Sequence, residues 1–161
     1  MPKLLVFAPC EKVIVGQGDN SVSLIGLLEN VHVLPGGFPT PPLPPNPTAP
    51  GRWFAFCLWE ASAEDKGVEY EQRIAVLDPN GKGRVESIVL FSMTKPRHRV
   101  VLEAPGFPII PAGTYNVKLW LRKKGESDWG QELASYPVPQ TIAEGSGQTE
   151  EKEAETESKS N

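Results

Sequence analysis

The stretch Gly106-Phe107-Pro108-Ile109-Ile110-Pro111-Ala112-Gly113-Thr114-Tyr115-Asn116-Val117-Lys118-Leu119-Trp120-Leu121-Arg122 constrains the fold of this chain more than any other. From Tyr115 onward Tyr115, Val117, Leu119 and Leu121 share one parity, and Asn116, Lys118, Trp120 and Arg122 share the other. A period of two is the pattern of a strand with one buried face. The turn Pro111-Ala112-Gly113-Thr114 leads in, so Tyr115 follows Gly113 by two residues. A Gly-x-Tyr step into a late strand is how Greek-key sandwiches build a tyrosine corner, in which the phenol bonds back to nearby backbone.

The rest of the chain carries the same rhythm. Leu4–Ala8 reads as a strand that Glu11–Val15 continues, and Gly16–Asn20 is a turn. Ser21–Leu34 is apolar on both parities; a hairpin with a bend or bulge at Gly26 competes there with a short helix. Pro35–Gly51 holds eight prolines, which predicts a stiff polyproline-like loop with no strand through it. Arg52–Ala61 is apolar on both faces, as a central strand is, with Trp53, Ala55, Cys57 and Trp59 on one side. Glu69–Asp78 alternates, with Tyr70, Ile74 and Val76 inward. Asp78-Pro79-Asn80-Gly81-Lys82-Gly83 is a hairpin turn. Arg84–Met93, Arg99–Ala104 with Val100 and Leu102 inward, the Tyr115 strand, and Trp129–Val138 complete the set. The pattern predicts an all-β, Greek-key β-sandwich, immunoglobulin-like or C2-like, of about eight strands over residues 1–142.

Charge is unevenly placed. Residues 143–161 hold six acids and two bases, a net of −4 that equals the formal charge of the whole chain, so residues 1–142 carry fourteen of each sign. The terminal segment, rich in Gly, Ser, Thr and Glu, predicts a disordered acidic tail. A neutral body with an acidic tail gives no general affinity for nucleic acid. No apolar run approaches a membrane span, and Leu4–Ala8 is shorter than an export-signal core. The expected place is the cytoplasm, where Cys10 and Cys57 read as buried thiols rather than an inter-sheet bridge.

Cys10-Glu11-Lys12-Val13, Ser23-Leu24-Ile25-Gly26-Leu27-Leu28, and Gly106-Phe107-Pro108 leading to Gly113-Thr114-Tyr115 carry a resemblance. Over residues 4 to about 138 the chain resembles a family of small uncharacterised bacterial proteins, each a single β-sandwich domain of unknown function. The resemblance implies the fold and no catalytic residue.

No catalytic, cofactor or metal constellation emerges. His32 and His98 stand outside any nucleophile motif, and Cys10, His32, Cys57 and His98 lack paired-ligand spacing. Gly16-x-Gly18 and Gly81-x-Gly83 precede no phosphate-binding helix. Glu64-Asp65 and Asp78-Asn80 read as turn residues bonding their own backbone rather than as calcium ligands. Two groups are candidates for contact with a partner or ligand. Trp120 lies on the polar parity between Lys118 and Arg122, where a ring is expected to be covered by another segment or a second subunit. Arg97, His98 and Arg99, with Lys95, form a basic run. The expected function is a non-catalytic binding or assembly module with a protein partner or self-association. The alternatives are carbohydrate binding through Trp120 and an enzyme whose site is built from loop ends.

Overall fold

The computed structural model describes residues 1–33, 42 and 45–142. Among the described residues nine strands form: β1 (Lys3–Val15), β2 (Val22–Leu27), β3 (Val31–Val33), β4 (Thr48–Glu60), β5 (Glu69–Leu77), β6 (Gly83–Ser92), β7 (Arg97–Pro108), β8 (Thr114–Lys123) and β9 (Ala134–Ile142), with one helical turn at Ala63–Asp65. They make two sheets, ordered β2-β1-β4-β7 and β3-β9-β8-β5-β6. β4 pairs with β7 while β5 pairs with β8, so consecutive strands cross between sheets as a Greek key requires. The order β1-β4-β7 over β9-β8-β5 is the A-B-E over G-F-C arrangement of an immunoglobulin-like sandwich.

The alternating parity of β8 places Tyr115, Val117, Leu119 and Leu121 in the core, none more than 2% exposed. Across from them stand Trp53, Ala55, Cys57 and Trp59 of β4, all buried. The Tyr115 hydroxyl donates to the Pro111 carbonyl at 2.8 Å, which closes the tyrosine corner. One polar bond crosses the core: Trp59 Nε1 donates to Oε1 of the fully buried Gln72 at 2.8 Å. Among the described residues the Gln72 amide nitrogen makes no hydrogen bond of ordinary geometry; the Gln72 side chain still opposes the rise in the Cys57 thiol pKa, which burial drives to about 12.

Several sequence expectations change. Strand β4 begins at Thr48, inside the segment expected to exclude strands, and passes through Pro50 and Gly51. The β4–β7 register slips between Ala49 and Arg52; such an irregularity is where a strand tolerates proline. Strand β9 runs on to Ile142 through Pro137 and Pro139. The Gln140 amide bonds the Gly113 carbonyl beside β8, so odd-numbered residues turn their backbone amide position away from β8, and neither proline removes a rung of that ladder. The described part of Ser21–Leu34, residues 21–33, divides into β2 and β3, with no helix, and β3 pairs with β9 in parallel. The cysteines are both free and sit on adjacent strands of one sheet. Cys10 pairs in register with Phe54 and Cys57 with Phe7, three positions or ~10 Å apart along the strands, so no inter-sheet bridge is available to them. The other part of the proline-rich loop and the acidic tail lie outside the described residues.

The hairpin of β1 and β2 folds back. Val6 is in register with Leu58, and Leu58 with Arg99. A β1 continuing straight from Val6 would carry Val15 ~30 Å beyond that level. Instead, Arg99 Nη2 donates to the Asn20 carbonyl at 2.6 Å and Nη1 to its side-chain oxygen at 3.3 Å. The bend falls at Glu11 and Gly26. The register passes from Cys10–Leu27 to Lys12–Ile25, and Gly26 takes φ 63° with the Glu11 side chain only 2.7 Å from where a β-carbon would sit. Only glycine accepts both the left-handed backbone and that approach. The hairpin therefore lies over the outer face of the four-stranded sheet, which accounts for the burial of Ala8, Cys10 and Phe56.

Replacing Tyr115 by Phe is expected to destabilise the protein by about 1 kcal/mol, the usual loss for one hydrogen bond. Urea unfolding reads it directly, and an unchanged midpoint would deny the corner a structural role.

Candidate functional site

The two candidate groups lie on opposite outer faces of the sandwich. Lys118, Trp120 and Arg122 stand on the outer face of the five-stranded sheet; Arg97 and Arg99 stand on the outer face of the four-stranded one, at the start of β7.

On the larger sheet Trp120 is half-buried, and part of this same chain covers it. Arg73, its register partner on β5, places its guanidinium 4.8 Å from the ring centre. The Arg73 guanidinium also lies 5.7 Å from the ring centre of Trp129, and that of Arg122 lies 4.0 Å from it. Every cation here has an acid. Arg73 bonds Glu86 at 2.9 Å, Arg122 bonds Glu71 at 2.6 Å, and Lys118 bonds Glu132 at 2.7 Å. Lys124 bonds Glu69 at 2.8 Å. The face is an interlocked lattice of rings and ion pairs. Arginines occupy ring faces that a sugar would need for stacking. At the margin of this lattice, on β6, Ile88 is 51% and Leu90 49% exposed.

The smaller sheet differs. Between it and the folded-back hairpin runs a groove of about 820 Å³. Val6, Phe56 and Leu58 form its floor, Val22 and Leu24 its roof, and Lys95, Arg97 and Arg99 stand at its mouth. None of these three cations belongs to an ion pair among the described residues. Glu60 lies opposite Arg97 in register, and Asp19, next to Asn20, uses a carboxylate oxygen on the Ser21 amide.

His98 does not join Arg97 and Arg99 as a surface cation. It shares the inward parity of Val100, and its ring stacks on Phe91 with centres 4.7 Å apart and planes 9° from parallel. Burial lowers its pKa. The expected turn roles of the acids are visible. Asp78 accepts from the Asn80 and Lys82 amides and from Arg84. Asp65 accepts from the Ser62 amide and hydroxyl and from the Tyr70 hydroxyl. Burial alone would raise both carboxyls; their hydrogen bonds overcome it and hold each below the ordinary range. Gln72, absent from the sequence candidates, was marked by its parity between Tyr70 and Ile74. Among the described residues no cluster of three or more His, Cys, Asp or Glu could hold a metal ion, and no helix is long and apolar enough to cross a membrane.

No family model and no curated protein matches this chain.

His98 sets a pH dependence. Its folded pKa lies below the ordinary value of about 6.5, so protons bind the unfolded chain more readily. Stability is full above that ordinary value and is lost as pH falls below it toward the lowered folded pKa. The melting temperature is expected to drop between pH 7.5 and about 5.5, and to drop less in His98→Phe, which keeps a flat ring on Phe91. Equal drops in both proteins would contradict this placement of His98.

Proposed function

We propose that this protein is a non-catalytic binding and assembly module that associates with a second copy of itself through the edge of β6. The character of that edge carries the reading. A sheet edge presents unpaired backbone groups, and natural sandwiches guard it with charge, proline, irregularity or brevity. Strand β7 has Arg97, Arg99, Glu103, Pro105 and Pro108. Strand β3 is three residues long, and β2 is six residues long and bends at Gly26, which takes a left-handed backbone. Strand β6 runs for ten residues, and Ser87-Ile88-Val89-Leu90-Phe91-Ser92 holds neither charge nor proline. Among the described residues no strand pairs with its outer side.

An antiparallel two-fold centred on Val89 sets Ile88 of one copy against Leu90 of the other and Glu86 against Ser92. Both half-exposed aliphatic residues are then covered, and no like charges meet. The interlocked arginines and tryptophans behind β6 hold the sheet rigid for such a contact. The non-catalytic part rests on how the titratable groups are used. Burial puts the Cys57 thiol at about 12, far from a thiolate nucleophile. Asp65 and Asp78 spend their oxygens on turns, and His98 spends its ring on Phe91.

Size-exclusion chromatography with light scattering tests it. Wild type should run at twice the chain mass of 17.6 kDa, and Ile88→Lys should run as a monomer with an intact far-ultraviolet spectrum. A wild type that stays monomeric at every concentration reached, or an Ile88→Lys dimer, would overturn the edge assignment.

A further inference from the structure

We propose that the groove under the β1–β2 hairpin binds a free single-chain carboxylate of medium to long chain length, the hydrocarbon on the groove walls and the carboxylate at Lys95, Arg97 and Arg99. This inference is independent of the β6 edge.

Two observations converge on that ligand class. The first is the wall chemistry. Val6, Phe56 and Leu58 below and Val22 and Leu24 above offer hydrocarbon on two sides. A groove of about 820 Å³ falls among sites for small molecules, roughly 300–1,000 Å³. An apolar surface facing another across a gap is a place where an alkyl chain loses water on both sides.

The second is the distribution of charge. On the larger sheet each outward cation is neutralised by a glutamate: Arg73 by Glu86, Lys118 by Glu132, Arg122 by Glu71 and Lys124 by Glu69. At the groove mouth Lys95, Arg97 and Arg99 gather without an ion pair among the described residues. Arg99 is spent only on neutral acceptors, the carbonyl and side-chain oxygen of Asn20. A guanidinium bonded to neutral oxygens keeps its full charge, and planar guanidinium groups suit a carboxylate's two oxygens. The cations gather at the start of one strand beside the apolar walls, Arg99 in register with Leu58 and Arg97 with Glu60. A ligand with one anionic head and one apolar tail therefore satisfies both parts, whereas a purely polar anion leaves the walls wet and a neutral hydrocarbon leaves the cations unpaired. Arg99 also ties the hairpin turn to β7, so the same residue that meets the head group holds the roof over the tail.

Isothermal titration calorimetry of the full chain with octanoate, decanoate and dodecanoate, each below micelle formation, tests the proposal. Affinity should rise three- to fourfold per added methylene, so dodecanoate should bind about a hundredfold more tightly than octanoate. Dodecyltrimethylammonium, with the same tail and the opposite charge, should bind at least tenfold more weakly than dodecanoate. Lys95→Gln/Arg97→Gln leaves the Arg99–Asn20 contact in place and should weaken dodecanoate at least tenfold with an unchanged melting temperature. Leu24→Glu, which puts a carboxylate against the walls, should do the same. Equal affinity for octanoate and dodecanoate, equal affinity for the cationic amphiphile, or wild-type affinity in both folded variants would overturn the proposal. So would binding to phosphatidylglycerol vesicles without binding to monomeric dodecanoate.

Discussion

The bond between the Arg99 guanidinium and the Asn20 carbonyl fixes more of this molecule's character than its short length suggests. A sandwich buries the inner faces of its sheets against each other and must do something with the outer ones. The outer face of the four-stranded sheet is unusually apolar, with Phe54, Phe56 and Leu58 on β4 and Val101 beside them on β7. Left open, that face would be a large apolar patch of the kind monomers avoid. The hairpin answers this by turning back at Gly26 and Glu11 and being tied down at its tip. The cover is incomplete, and what stays uncovered is the groove.

The two outer faces illustrate different solutions. On the larger sheet, cross-strand register sets Arg73 beside Trp120 and Glu71 beside Arg122, so rings and ion pairs close the surface without any added segment. The individual pairs are worth little at an exposed site, but together they set a guanidinium over each ring and give Arg73, Lys118, Arg122 and Lys124 each a glutamate. On the smaller sheet, apolar cover comes from the hairpin, and the cations at its mouth belong to no ion pair among the described residues. A surface that neutralises its charges is suited to support; one that keeps them beside an apolar recess is suited to recognition.

Much of the architecture was legible in the residues. The alternation from Tyr115 to Arg122 names the buried and open faces of β8, because strand period is a local property. The Gly-x-Tyr step located the corner for the same reason. The bend at Gly26 was visible as a break in an apolar run. Where that bend sends the hairpin was not, because the contact that settles it joins residues 79 positions apart. His98 looked like part of a basic run, and its own parity with Val100 and Leu102 already placed it inside. The start of β4 was hidden by Pro50 and Gly51, since proline counts against a strand except where the register slips. Which cations share a face, and which of them find acids, depends on sheet order, so the groove mouth could not be assembled from spacing alone.

The hairpin folds back over the sheet, and that fold-back creates the groove. A nitroxide attached at Gly18→Cys tests it most directly. A β-carbon there meets nothing within 4 Å, and Cys10 and Cys57 are buried and so shielded from the label. Nuclear magnetic resonance then reads which amides the label broadens. Fold-back predicts strong broadening at Arg97, His98 and Arg99, two strands away from β1. Sharp signals there, with broadening confined to the hairpin itself, would mean that the arm projects along β1, and the groove with its latch would not exist.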